Sequence, residues 1–146
     1  MTRSPVTFWT LVLRNARGDV TSAMRDVGDA QAGLAAAQSE RTRLEAQFDE
    51  ARATAPACAL LVDQGAWVAA LGAELRAKQM DITACLGAVD AARLVLAEAK
   101  GMETVAERRL SEAKRAARKA EEARDLTRVL DLAMLRSQAE ATQVRQ

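Results

Sequence analysis

The sequence has no histidine and no tyrosine, and it contains only two prolines and two cysteines. Histidine is the commonest general base and metal ligand, so its absence argues against a catalytic or zinc centre. Cys58 and Cys85 lie too far apart for a CxxC motif and have no histidine to complete a metal set. A glycine-rich phosphate loop and a nucleophile motif are also missing. We therefore expect a protein that is not an enzyme and that has no cofactor and no metal.

Long apolar runs are missing too. No segment approaches the ~20 apolar residues that a membrane span needs. The apolar stretch from Val6 to Leu13 is interrupted by Thr7 and Thr10 and lacks a small-residue cleavage site, so it does not resemble a secretion signal. These features predict a cytoplasmic protein in a thiol-reducing compartment, without direct membrane insertion.

An uninterrupted seven-residue repeat is present instead, from Val6 to Cys58. Its two rows are apolar at every position except Arg41, and a spacing of 3.5 residues keeps one seam of a helix turned toward a partner helix. The repeat therefore predicts a coiled coil. The first row is Val6, Leu13, Val20, Val27, Leu34, Arg41, Phe48 and Ala55, and the second is Trp9, Ala16, Ala23, Ala30, Ala37, Leu44, Ala51 and Cys58.

A second stretch repeats in the same way after the middle of the chain. Both Cys58 and Cys85 fall on seam positions, where they are expected to be small buried apolar residues. Each stretch puts mostly alanine on one row, which suits two closely approaching backbones. The rows are Val68, Leu75, Ile82, Val89, Leu96, Glu103, Leu110 and Ala117, interleaved with Leu71, Lys78, Cys85, Ala92, Ala99, Ala106, Ala113 and Ala120.

Local signals place the ends of these helices. Ser4 and Pro5 are typical of a cap and a first helical position. Pro56 disturbs the first helix, and Gly65 closes an Asp-Gln-Gly segment that we expect to reverse the chain. The predicted fold is all-α: a long antiparallel two-helix coiled-coil hairpin with unequal helices, in a single domain over residues 1–146. Helix 1 is expected at about 5–55, the turn at about 56–65, helix 2 at about 66–138 and a frayed tail at 139–146. The pattern leaves open whether the hairpin forms within one chain or is exchanged between two.

Folding the chain about residues 60–63 makes the numbers of facing residues sum to about 122. This register predicts that Arg41 lies near Asp81 and that Lys78 lies near Glu45. Glu103 then has Arg17 as its available partner.

The same register leaves the second helix unpaired beyond about Ala117, over ~30 Å. This overhang is not polar, and a basic run precedes it, so it is predicted to be a docking end. Two alternatives require no other protein as a partner. The basic run can be a solvated helix face, with Glu112 pairing with Arg108 and Arg115, and the apolar tip can fold back on the hairpin or form a homodimer. Nucleic acid is not an expected partner, because the basic run has no aromatic residue for base stacking and matches no DNA-binding motif.

Three segments carry a resemblance to a known family. They are Trp67-x3-Leu71-x3-Leu75-x3-Gln79-x2-Ile82, Glu103-x3-Glu107-Arg108-Arg109-Leu110-x-Glu112, and Leu130-Asp131-Leu132-Ala133-Met134-Leu135-Arg136. In their order and spacing, and in the length of the chain, the sequence resembles the FliJ/YscO family. Its members are coiled-coil stalk proteins of flagellar and injectisome type III export systems.

The resemblance implies a non-catalytic central stalk and assembly factor. Such a protein binds and stimulates the hexameric export ATPase and links it to the cytoplasmic domain of the export gate and to export chaperones. It lies in the cytoplasm, peripheral to the membrane-embedded apparatus. Carried onto this chain, the ATPase-binding residues are Phe8, Trp9, Arg108, Arg109, Arg115, Arg118, Lys119, Leu126, Leu130 and Met134.

The family's gate-binding surface lies early on the second helix and maps here to Trp67, Leu71, Glu74 and Lys78. For Trp67 and Leu71, core packing is a rival interpretation, since Leu71 also falls on the seam. The resemblance leaves open whether the system is a flagellum or an injectisome. The alternative function is a self-associating structural coiled-coil scaffold joined through the tip from Leu126 to Leu135.

Overall fold

The computed structural model describes residues 4–54 and 61–143, with side chains for 4–54 and 65–140. Helix α1 spans Pro5–Thr54 and helix α2 spans Leu61–Gln143. The described residues form an all-α hairpin of two unequal helices, as predicted.

Contacts divide the chain into two compact units. Unit 1 comprises Met1–Arg17 and Gly101–Gln146, and unit 2 comprises Gly18–Lys100. The prediction of a single domain over residues 1–146 stays a prediction.

The predicted seam is the buried face in each unit. On α1, every seam position from Val6 to Ala51 is buried or half-buried, and Val12 and Glu45 are the only further residues in that stretch that are not exposed. On α2, every seam position from Val68 to Ala113 is buried or half-buried, and Gly72 is the only addition. A period of 3.5 residues therefore accounts for almost all of the burial. Cys85 is half-buried on the seam as expected, whereas Cys58 lies outside the described residues.

Contacts within each unit establish the antiparallel direction. In unit 1, Leu13 packs with Ala106 and Leu110, while Arg17, further along α1, contacts the earlier residues Glu103 and Glu107 of α2. In unit 2, a Cβ at Gly72 would lie 3.7 Å from the ring of Phe48, while Glu40 contacts Lys78. The residue numbers of the latter two pairs sum to 120 and 118, so these contacts are displaced by two to four residues, or up to about one turn, from the predicted sum of 122.

The predicted partners of the two seam charges are wrong. Arg41 Nη2 contacts Glu45 Oε1 of its own helix at 2.7 Å, whereas Lys78 Nζ contacts Glu40 at 2.7 Å and Asp81 at 3.4 Å. The displaced register explains the exchange. The ammonium of Lys78 reaches outward to carboxylates that flank the seam and remain hydrated, which avoids burying the charge.

These contacts shift two pKa values in the mutually stabilising direction. Hydrogen bonds to Glu40 and then to Asp81 raise the pKa of Lys78 above its usual value. The hydrogen bond from Lys78 lowers the pKa of Glu40. Both groups therefore stay charged across the neutral range.

The boundaries of α2 differ from the prediction at both ends. Residues 63–65 belong to α2 rather than to the turn, and among the described residues no glycine has a positive φ. A glycine inside a helix costs only ~1 kcal/mol, so Gly65 does not stop the helix here. At the other end α2 continues to Gln143 instead of fraying from residue 139, since neither glycine nor proline follows Arg136. Helix α1 extends to Thr54, and the effect predicted for Pro56 lies outside the described residues.

The glycines on the exposed faces give a test of helix continuity. A Cβ at Gly33 would meet nothing within 4 Å. We expect Gly33→Ala to raise the free energy of unfolding by about 1 kcal/mol, because alanine has the higher helix propensity. The neighbouring Ala32→Gly is the matched control and should lower it by a similar amount. Urea unfolding followed by circular dichroism measures both, and equal stabilities would show that α1 is not helical around residue 33.

Candidate functional site

A small core holds the start of α1 against α2 in unit 1. Phe8 adds an edge-to-face contact with Trp9, with ring centroids 5.2 Å apart and planes at 80°. The backbone N–H of Phe8 donates to Ser4 O at 3.0 Å, so the helix begins at the predicted cap. The core consists of Leu13, Ala106 and Leu110, with Val6, Trp9 and Val12 packed against it.

Arg17 joins the two helices beside this core. Its Nη2 donates to Glu107 Oε1 at 2.9 Å, and its Nε donates to Glu103 Oε1 at 3.2 Å. The hydrogen bonds to Glu107 and Glu103 raise the pKa of the guanidinium. The pairing of Arg17 with Glu103 is confirmed. Glu107 was missed, although the i,i+4 spacing of the two glutamates was the available signal.

Beyond the core, α2 continues without cover. Every residue from Lys114 to Glu140 is exposed, and this segment is called the overhang below. At 1.5 Å per residue it is about 40 Å long. The seam positions Ala117 and Ala120 are exposed because α1 begins at Pro5 and does not reach them. The predicted unpaired end of α2 is thus confirmed, and it is slightly longer than expected.

Most of the positive charge at the base of the overhang is unpaired. Arg108 and Arg109 share Glu112, at 3.4 and 3.1 Å. The expected contact of Glu112 with Arg115 is not formed. Four cations directly after Glu112 have no ion pair with any described residue, and we call them the basic collar: Lys114, Arg115, Arg118 and Lys119.

Large apolar side chains follow the basic collar. Six of them between Leu126 and Leu135 are 53 to 66% exposed, including Val129 and Leu132. The hairpin seam, if continued, would run through Arg124, Thr127 and Asp131. Met134 lies on the same line, whereas the other apolar residues are distributed over several sides of the helix. No single face of a partner therefore covers all of them.

A groove joins the core to the basic collar within unit 1. Val6, Leu110 and Ala117 contribute apolar groups, while Lys114, Arg118 and Glu121 contribute charges. Our sequence-based site omitted Val6, Lys114 and Glu121. The available signal was the end of the first seam at Val6. Beyond that point α1 no longer covers α2, so the seam row of α2 becomes exposed to water.

The predicted ATPase-binding residues all fall in unit 1. Phe8 is exposed, whereas Trp9 is half-buried and lines a shallow cleft with Arg109 and Glu112. The structure brings Phe8, Trp9 and Arg109 together beside the core, and Arg108 shares Glu112 with Arg109. The others stand along the overhang: Arg115, Arg118, Lys119, Leu126, Leu130 and Met134. Unpaired cations next to exposed apolar groups suit a protein surface that is both acidic and apolar.

The predicted gate-binding residues lie in unit 2 and do not form one exposed face. Trp67 is 51% exposed and Glu74 is exposed. Leu71 is only 7% exposed, and Lys78 is half-buried in its contacts with Glu40 and Asp81. Core packing is therefore the correct interpretation for Leu71 and not for Trp67.

Comparison of the chain with protein-family models, with curated proteins and with solved structures finds no match. No helix among the described residues is long and apolar enough to cross a membrane. Over residues 4–54 and 61–143, no cluster of acidic residues or cysteines is suited to hold a metal ion. The binding roles predicted for individual residues stay predictions.

A matched pair of leucines tests whether the overhang is bare. Leu110 is 9% exposed and belongs to the core, whereas Leu130 is 53% exposed. We expect Leu110→Ala to lower the free energy of unfolding by about 2 kcal/mol or more. Leu130→Ala should change it by less than about 0.5 kcal/mol. Denaturant titration compares the two variants. Equal losses would mean that Leu130 is covered in the free protein.

Proposed function

We propose that this protein is a non-catalytic central stalk and assembly factor of a type III protein export apparatus. It binds and stimulates a hexameric export ATPase and links it to the export gate and to export chaperones. It acts in the cytoplasm, at the periphery of the membrane-embedded apparatus. The proposal joins the resemblance to the FliJ/YscO family with the geometry at the end of α2.

The observation that carries the proposal is the bare overhang. Contiguous exposed apolar groups with a polar rim mark partner-binding surfaces. Here the apolar groups between Leu126 and Leu135 begin about two turns after the basic collar, whose four cations have no ion pair within the described residues. A helix of this kind is suited to insert into a groove or a central opening of its partner.

A ring of identical subunits suits these residues as a partner. A hexamer presents six similar surfaces to one asymmetric helix, so its contacts must tolerate several orientations of that helix. The long side chains of Arg115, Arg118 and Lys119 provide attraction over a distance without fixing a single geometry. The apolar groups beyond them then supply short-range contact.

For the export-gate contact, we propose fewer residues than the resemblance implies. Trp67 and Glu74 are exposed and open to a partner. Leu71 is occupied by the hairpin core, and Lys78 is occupied by its two carboxylates. We therefore assign the gate contact to Trp67 and Glu74.

The test is the ATP hydrolysis rate of the export ATPase from the same organism, with and without this protein. We expect stimulation by the full chain, and its loss with a chain that ends after Ala120. In the full-length protein, reversing Arg115, Arg118 and Lys119 to glutamate should also abolish stimulation, because it removes the attraction at the base of the overhang.

The matched control reverses three exposed arginines of α1 outside the site: Arg25, Arg43 and Arg52. It changes the net charge equally and should leave stimulation intact. If both triple variants lost stimulation equally, the loss would be an effect of net charge and not of the basic collar. No stimulation by the full chain, and no complex on a sizing column, would contradict the proposed function.

The second candidate is a self-associating scaffold protein joined through the overhang. The same exposed apolar groups support it, since a second copy could cover them. This candidate predicts a mass that rises with concentration and falls in Leu130→Asp. Light scattering on a sizing column measures this mass. A wild-type mass independent of concentration would exclude self-association as the function.

A further inference from the structure

Helix α2 has a second apolar face in unit 2, turned away from α1. It runs for about 36 Å with the same alternating spacing of three and four residues as the hairpin seam. All eight of its residues are exposed, and none is polar. We call it the outer face of α2: Ala70, Ala73, Ala77, Met80, Ala84, Gly87, Ala91 and Leu94.

The large side chains on and beside this face are unusually open. Met80 is 75% exposed and Leu94 is 68% exposed. Trp67 and Val95, which flank the face near its two ends, are also more than half exposed. Among the described residues, α1 lies on the opposite side of α2 and cannot cover them.

The corresponding face of α1 in unit 2 is different. Its residues have the same spacing and are also exposed, but most are polar or charged. An apolar outward face is therefore not a general property of this hairpin. The equivalent residues of α1 are Ser22, Arg25, Asp29, Ala32, Ala36, Ser39, Arg43, Ala46 and Glu50.

We propose that the outer face of α2 binds the outer face of a second copy of this chain, antiparallel, about a two-fold axis near Ile82. A two-fold interface brings the same patch of both copies together, so the patch must be self-complementary. The outer face meets that condition in size and in charge.

The size pattern fits only when the two helices run antiparallel. In that arrangement the layers join Leu94 with Ala70 and Met80 with Ala84. The remaining layers join Ala73 with Ala91 and Ala77 with Gly87. Each large side chain then meets a small one, which allows close approach of the backbones.

The flanking residues are complementary in the same register. Trp67 of one copy meets Val95 of the other, so both exposed side chains become covered. Arg76 of each copy faces Asp90 of the other, so the two-fold axis generates this pair twice. Among the described residues, the ion-pair partner of Asp90 is Arg93 of its own helix, at 3.7 Å. Asp81 meets its own symmetry mate, but its contact with Lys78 at 3.4 Å offsets that repulsion.

A parallel pair of these faces is unfavourable. It would place Met80 on Met80, Gly87 on Gly87 and Arg76 on Arg76, which combines crowding, a gap and like charges. The antiparallel dimer does not use the overhang. Its formation and the binding of an ATPase are therefore separate properties of the chain, whereas the dimer covers Trp67 and so competes with the gate contact proposed above.

Sedimentation velocity of the full chain over a wide concentration range tests the proposal. We expect a monomer–dimer equilibrium. Ala77→Glu should raise the dissociation constant by about tenfold or more, because it places a carboxylate in a layer of small residues. The matched control is Ala36→Glu on the outward face of α1, which changes charge and helix propensity equally and should leave the equilibrium unchanged.

Charge exchange tests the register. Arg76→Asp and Asp90→Arg should each weaken the dimer, since each creates two like-charge contacts across the axis. The double variant should restore it, because the two pairs are rebuilt with opposite polarity. Circular dichroism confirms that all variants remain helical.

Three results would overturn the proposal. The first is a mass that stays monomeric at the highest concentration. The second is a dimer that Leu130→Asp dissociates and Ala77→Glu does not, which would place self-association on the overhang. The third is a double charge variant that is no better than the single ones.

Discussion

Each helix of this protein depends on the apolar seam of the other. Alanine fills most of one row in both helices, and larger aliphatic residues fill much of the other. Such a surface buries little area by itself, so neither helix has a core until the two lie side by side. Once paired, the small residues let the backbones approach closely and the larger ones fill the remaining space. The start of α1 at Pro5 then determines where cover for α2 ends.

Ion pairs across the helices select among the registers that this seam allows. A slip by one heptad would match apolar rows almost as well as the observed register. It would, however, move Arg17 from Glu103 and Glu107 to either Leu96 and Lys100 or Leu110 and Lys114. The charges that interrupt or flank the seam therefore disfavour a slip, at small cost, because the carboxylates that hold them remain hydrated.

The surfaces left for partners are features of α2 rather than of α1. In unit 1 the overhang combines unpaired cations with exposed leucines, and in unit 2 the outer face is apolar throughout. Two-helix coiled coils have no interior large enough for a binding pocket, so recognition must use helix faces. In unit 2 the outward face of α1 is polar and that of α2 is apolar, so a partner that buries apolar surface binds on the α2 side.

The sequence by itself determined the all-α hairpin, the buried residues from Val6 to Ala51 and from Val68 to Ala113, and the bare end of α2. These follow from a periodicity that is visible without any knowledge of the partner helix. The sequence-based prediction of a turn at Gly65 was wrong. A glycine can stop a helix or lie within one, and only the tertiary structure shows that Gly65 lies within α2. The tertiary structure also decided the partners of Lys78 and Arg41, and the burial of Leu71 against the exposure of Trp67. Long charged side chains reach over several residues, so a displacement of up to about one turn exchanges their partners while leaving the apolar rows in contact.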